Sequence, residues 1–343
     1  MKQSPRLSRR DLLSLPRRSA PADDDEGYWL HLSRTAMACT FEVTLPAELD
    51  RYLDVAKAAL DEVDALEAQL TIFRDSSELS AINRQAAFSP VAVEPRLFDL
   101  LGTCERLCRE TDGAFDITST PLSRVWGFLR RQGRIPSPEE IAAARAAVGM
   151  GHVRLDPAAR TVAFDHPEVS LNLGSIGKGY ALDRVAESMQ AAGVPTALLT
   201  AGQSSIRALG GGPTGEGYVV GVRDPSDHTR RFGTVRLRDC ALGVSGAGEQ
   251  SFEVDGRRYG HVLDPRTGWP VESRALSAVV APTAALADAL TTAVFVGGGE
   301  LAERHTRACS DVSVVVLDMP LPGQHPHPVI FGGGVDWRFA RAP

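Results

Sequence analysis

Between residues 197 and 245 the chain carries five short strand-like stretches, at 197–200, 205–209, 218–222, 233–237 and 241–245, with no helical period between them. Strands that follow one another without an intervening helix cannot form the crossovers of a doubly wound sheet. The run therefore predicts an α+β fold, with mixed or antiparallel sheets and packed helices.

Helical periods flank this strand-rich half. Leu53, Ala56, Leu60, Val63, Leu66 and Leu70 recur at spacings of three and four, which predicts one long amphipathic helix following Pro46. Further helices are expected over 95–110, over 137–147 behind the helix-start run Pro138-Glu139-Glu140, over 180–192 and over 284–296. Other strands are expected at 31–34, 39–45, 153–155, 161–164, 169–173, 312–317 and 329–331, with a hairpin through Asp156-Pro157. No linker or short repeat interrupts the chain, so residues 27–340 read as one unit.

Composition narrows the function classes. A chain of 343 residues that is 43% hydrophobic and 23% charged excludes disorder, collagen and coiled coil. A net charge of -6 provides no basic field to collect nucleic-acid phosphates, so no nucleic-acid partner is expected. The most apolar window, 276–299, is broken by Pro282 and Asp288, and no transmembrane segment is expected. Residues 1–26, rich in Arg, Pro, Ser and Asp, read as a disordered leader. Ser8-Arg9-Arg10-Asp11-Leu12-Leu13 resembles the start of a twin-arginine export signal, but Pro16, Arg17 and Arg18 cut off its apolar region. A cytoplasmic location is the expectation, with export toward the periplasm or membrane as the alternative. The five cysteines lack metal or disulfide spacing, and Cys104 and Cys108 read as a buried pair on one helix face.

Three clusters carry chemistry. Asp288 sits in Ala287-Asp288-Ala289-Leu290-Thr291-Thr292, inside an otherwise small and apolar helix where an unpartnered carboxylate is expensive. Thr292 lies one turn on. Asp, Thr and a backbone carbonyl make a hard-oxygen set suited to magnesium, and a helix cap or a buried hydrogen-bonded Asp is the alternative. The second cluster, Asn172-Leu173-Gly174-Ser175-Ile176-Gly177-Lys178-Gly179, is a glycine-rich turn opening a helix with a lysine at its mouth, an arrangement that favours phosphate. It is not a Walker loop, and Gly210-Gly211-Gly212-Pro213-Thr214-Gly215 reads as a plain loop. The third, His261-Val262-Leu263-Asp264-Pro265-Arg266-Thr267-Gly268, is a turn sequence beside a histidine that serves either as an acid–base group or as a structural residue.

These clusters, with Met37-Ala38-Cys39-Thr40, Ser77-Glu78-Leu79-Ser80-x-x-Asn83, Asp112-Gly113-Ala114-Phe115-Asp116-Ile117-Thr118 and Ser245-Gly246, resemble in order the ApbE family of FAD:protein FMN transferases. The resemblance spans about residues 30–335. It implies a Mg2+-dependent enzyme that takes FAD as substrate, transfers its FMN part to a threonine hydroxyl of an acceptor protein and releases AMP. Met37, Phe73, Ala114, Phe115, Asp116, Asn172, Lys178 and Val262 would contact FAD. The Ser175 carbonyl, Asp288 and Thr292 would hold the metal, and His261, Lys178 and Asp288 would carry catalysis. The chain departs from the family pattern at Phe73 (commonly Tyr), at Asn172 (often Asp) and at Gly202-Gln203-Ser204 (commonly Gly-Gly-Asp). A metal-dependent FAD pyrophosphatase and a non-catalytic flavin-binding protein are the alternative functions.

Overall fold

The computed structural model describes residues 28–225, 227, 229–247, 250–319 and 327–339. The expected leader, 1–26, lies outside the described residues. β1 (Trp29–Ala36) and β2 (Cys39–Pro46) form a hairpin cornered by Met37-Ala38, both at positive φ (50° and 59°). A two-residue corner must turn with the right-handed twist of its strands, which requires two left-handed residues. Neither is a glycine, and the Met37 N–H is tied down by Glu67 at 2.9 Å.

A 3-10 turn over Ala47–Tyr52 delays the first long helix, so α1 spans Leu53–Leu70 and buries Ala56, Ala59, Leu60, Val63 and Leu70. Next come α2 (Glu78–Gln85), β3 (Val91–Ala92), α3 (Pro95–Glu110), α4 (Thr120–Val125), α5 (Pro138–Arg145), β4 (Val153–Asp156) and β5 (Thr161–Phe164). β3, β5 and β4 make a small antiparallel sheet in that order. Cys104 and Cys108 face inward on α3, and burial pushes the Cys108 thiol up to about 12, which leaves it unreactive.

The expected strand at 169–173 pairs with no strand among the described residues. Its backbone is satisfied by a side chain: Asn83 of α2 donates to the Leu171 carbonyl at 2.9 Å and accepts the Leu171 N–H at 2.7 Å. One amide replaces a ladder partner, which period-two patterning cannot reveal. Ser77 caps the helix that delivers Asn83, accepting the Ser80 N–H at 3.0 Å.

The C-terminal half contains α6 (Gly177–Ala191), β6 (Ala197–Ala201), β7 (Ser205–Leu209), β8 (Tyr218–Arg223), β9 (Arg231–Leu237), β10 (Ala241–Gly246), β11 (Ser251–Val254) and β12 (Arg257–Gly260). It closes with β13 (Arg274–Ala281), α7 (Ala284–Ala308), β14 (Ser313–Asp318), β15 (Val329–Phe331) and β16 (Trp337–Phe339). The main sheet runs β1-β2-β6-β7-β10-β13-β14-β15, and each neighbouring pair is antiparallel. The α+β expectation stands.

Both faces of that sheet are covered. Along β13 and β14, Val279, Ala281, Val314 and Val316 join the core shared with α1, α6 and α7. Leu276, Ala278, Val280, Val315 and Leu317 face the opposite way, into a second core roofed by the small sheet β16-β9-β8. A third cluster around Trp126, Phe128, Ile141, Tyr259 and Leu263 joins α4 and α5 to β12.

α7 corrects one expectation. It runs twelve residues past 296, crossing Gly298 at φ 69° and ψ -158°, because the Gly297-Gly298-Gly299 run kinks the helix where its sequence reads as a stop. By length and composition alone it also qualifies as a membrane span, with 25 residues and a mean hydropathy of 1.2 in its best window. That window is 67% buried, against α6, β10, β13 and β14.

Candidate active site

α7 holds Asp288 where three elements meet. The side chain is 5% exposed. Its Oδ2 accepts the Gly179 N–H from the first turn of α6 at 2.7 Å, and its Oδ1 accepts the Ser205 hydroxyl from the start of β7 at 2.6 Å. Two backbones press so close that only glycine fits: a Cβ on Gly179 would collide with the Ala284 carbonyl, and one on Gly243 of β10 with the Ala287 carbonyl. Asp183, in the second turn of α6, caps α7 by accepting the Ala284 and Ala285 N–H groups, each at 2.8 Å. Burial pushes the Asp183 carboxyl up to about 6, against the pull of those two N–H groups and of Arg207.

Asp288 opens onto a cavity of about 270 Å³ shared with Lys178, Ser175, Thr292, Asn172, Ala114, Asp116, His261 and Val262. A second cavity of about 230 Å³ adjoins it through Asn172, Gly174 and Lys178, and Met37 and Phe73 line that one. The structure thus brings together every expected site residue except Phe115, whose side chain is 1% exposed within the main core and lines neither cavity. Phe73 is 75% exposed, so its ring face is open for stacking.

The turn into α6 differs from a bare phosphate cradle. The Gly174 N–H goes to Asn172 Oδ1 at 2.9 Å, the Gly177 N–H to the Leu173 carbonyl at 2.7 Å and the Gly179 N–H to Asp288. With these donors engaged, attraction for an anion in this cavity comes chiefly from the Lys178 ammonium. Asn172 spends its carbonyl oxygen on shaping this turn.

Asp116 is a second buried carboxylate, held at Oδ1 by the Thr118 N–H (2.7 Å) and hydroxyl (2.6 Å) and touched by the Cys108 thiol at Oδ2 (3.6 Å). Burial raises its pKa against those hydrogen bonds. His261 follows β12 and places Nδ1 3.1 Å from the Gln250 carbonyl. A carbonyl only accepts, so Nδ1 carries the proton in the neutral ring and Nε2 carries the lone pair. The following turn is closed by the Gly268 N–H on the Asp264 carbonyl at 2.7 Å and anchored by Trp126 Nε1 on the Gly268 carbonyl at 2.8 Å.

The donors fit a hard cation. Asp288 presents a carboxylate to the cavity, and Thr292 and Ser175 add neutral oxygens to it. Among the described residues no group of three His, Cys, Asp or Glu side chains gathers, so a nitrogen–sulfur site is not offered. One carboxylate with neutral oxygens suits Mg2+, which keeps waters and takes substrate phosphates as ligands.

Sequence reasoning missed Ser205, Ser204 and Thr291. The last two line the main cavity, Ser204 from the departing Gly202-Gln203-Ser204 turn between β6 and β7. Ser205 is fully buried yet stands beside that turn, where a serine reads as turn chemistry.

An α+β scaffold with a buried carboxylate, a lysine and a histidine around one cleft defines an enzyme site suited to an anionic substrate. A family model, the ApbE family, matches residues 37–316, and the chain belongs to that family. It is 31% identical to the FAD:protein FMN transferase of Salmonella typhimurium (72% of each chain) and 32% identical to that of Vibrio cholerae (79% of this chain, 82% of the relative). Among solved structures it is similar to the ApbE protein of Thermotoga maritima, with a TM-score of 0.79, 27% identity and coverage of 88% of this chain and 96% of the other. It is also similar to the flavin transferase ApbE of Vibrio cholerae, with a TM-score of 0.76, 26% identity and coverage of 89% and 98%.

Proposed function

We propose that this chain transfers the FMN part of FAD to a threonine hydroxyl of an acceptor protein, releasing AMP, with Mg2+ as its metal. One observation carries the reading: Asp288, Lys178 and His261 line one cavity in a chain whose relatives are named FAD:protein FMN transferases. The acceptor oxygen bonds to the FMN phosphorus, the bridging phosphorus–oxygen bond breaks, and AMP leaves with its electron pair. His261 Nε2 takes the hydroxyl proton, its partner nitrogen being fixed by the Gln250 carbonyl. Lys178 offsets the charge of the diphosphate and is the residue common to both cavities that can do so.

Asp288, Thr292 and the Ser175 carbonyl would hold the Mg2+, which when bound supplies charge stabilisation at the diphosphate oxygens. Met37, Phe73 and Asn172 receive FAD on the side of the smaller cavity, with the Phe73 ring as a stacking face. Ala114, Asp116 and Val262 receive it from the main cavity, with Phe115 next to Ala114 in the chain.

Mass spectrometry of a threonine-containing acceptor domain incubated with the protein, FAD and Mg2+, with AMP followed in the same tube, tests the reading. An adduct of FMN mass, with AMP that disappears in EDTA, is the expected result. AMP without adduct from any acceptor would make the protein an FAD pyrophosphatase, and neither product would leave flavin binding alone.

A further inference from the structure

A third and larger cleft, of about 680 Å³, opens beyond Phe73 and has no part in the chemistry above. It meets the smaller cavity at Ile72 and Phe73, which line both. α4 separates it from the reaction cavity: Ser119 and Ser123 face the cavity, while Thr120 and Arg124, one residue on in each case, line the cleft.

The charge of this cleft runs against that of the chain. Arg84, Arg124, Arg130 and Arg134 line it, with Asp75 as the one lining carboxylate among the described residues, in a protein of net charge -6. Arg134 is neutralised by Glu140 through hydrogen bonds of 2.9 and 2.6 Å. Among the described residues, no carboxylate stands within ion-pair distance of Arg84, Arg124 or Arg130, which are all exposed. Arg130 is carried by a braced loop. The Gln132 N–H returns to the Gly127 carbonyl at 3.0 Å, and Gln250 Nε2 reaches the Phe128 carbonyl at 3.0 Å.

We propose that this arginine cleft docks an acidic segment of the acceptor protein and guides the adjoining threonine past Phe73 into the reaction cavity. The inference rests on the transferase reading. FAD itself does not account for the cleft, because its charge is confined to the diphosphate, which belongs beside Lys178 and Asp288, and both of its ring systems are neutral. The remaining substrate is a protein, and unpaired guanidinium groups at a cleft mouth match carboxylates. An acidic enzyme would otherwise repel such a partner, so a local basic surface is needed for productive encounter.

The test uses the full chain, its Arg124→Glu/Arg130→Glu variant and two labelled peptides, one with a threonine flanked by aspartates and one with asparagines in their place. Fluorescence anisotropy without FAD reads docking directly. The wild type is expected to bind the aspartate peptide about 10-fold more tightly than the asparagine peptide, and the variant to lose that difference. In turnover, the variant raises the KM for the acidic acceptor about 10-fold and leaves the KM for FAD within twofold. Equal binding of both peptides by the wild type, or an unchanged acceptor KM in the variant, would overturn the proposal. A KM for FAD that rises as much as that for the acceptor would assign the cleft to FAD instead. Charge-dependent peptide binding without any FMN adduct would retain the docking cleft and reject the transferase reading.

Discussion

At the scale of single residues, Asp288 shows how a carboxylate survives in a core. The Gly179 N–H and the Ser205 hydroxyl hold its two oxygens in one orientation. Replacing it by alanine would strand both donors at a cost of about 1–3 kcal/mol each, so Asp288→Asn is the better probe. Asp288→Asn is expected to abolish metal-dependent AMP release with a near-normal circular dichroism spectrum. Ser205→Ala removes only the orienting donor, and by calorimetry should weaken Mg2+ binding about 10-fold or more, as loss of a ligand's hydrogen-bond support does. Unchanged metal affinity in Ser205→Ala would make that serine purely structural. Asp183 contributes a pH dependence of known sign. Its folded pKa, about 6, lies above the ordinary carboxylate value, so between about pH 4 and pH 6 the folded state binds more protons than the unfolded one. Stability from this group is present below pH 4 and lost as the pH rises through 6. Urea unfolding should therefore show Asp183→Asn gaining on the wild type across that window, by about 3 kcal/mol at most. A difference that stays constant from pH 4 to pH 7 would contradict it.

At the scale of elements, the site is a product of close approach. α7 touches α6 at Gly179 and β10 at Gly243 through backbone contacts that admit no side chain. Gly179→Ala must push α6 and α7 apart and lengthen the Gly179 to Asp288 hydrogen bond. We expect a loss of about 3 kcal/mol or more by chemical denaturation, larger than helix propensity, which by itself would favour alanine by about 1 kcal/mol. A stabilised Gly179→Ala would show that the helices have room. The elements legible in the sequence were those that obey one period: α1, α3, the strands β1 and β2, and β4 with β5. The stretch 169–173 was misread because Asn83, far away in the chain, takes the place of a neighbouring strand. α7 was cut short because three consecutive glycines signal an end, yet packing carries the helix across Gly298.

At the scale of the whole molecule, one eight-stranded sheet serves two cores, with helices on one face and a three-stranded sheet on the other. The site lies where the third cluster, around Trp126, meets the helical side, so a ligand there bridges parts of the chain that are distant in sequence. FAD with Mg2+, at about a hundred times its dissociation constant, should stabilise the fold by about 2.7 kcal/mol, or roughly 5 °C in Tm. Calorimetry with FAD, Mg2+ and both together checks this, and a shift unaffected by EDTA would separate flavin binding from the metal. The sequence by itself determined the fold class, because uninterrupted strands leave no room for crossovers. It also determined the chemical types at the site, because a carboxylate in an apolar helix and a lysine at a helix mouth are local signals. Only the tertiary structure decided that these groups share a cavity, that Ser205 and Gly179 hold Asp288, and that exposed arginines from α2, α4 and the loop beyond it gather in one cleft. The physical reason is range: periodicity and capping act over a few residues, whereas burial, charge and hydrogen bonding join residues such as Gly179 and Asp288, which meet only when the sheet and its helices close.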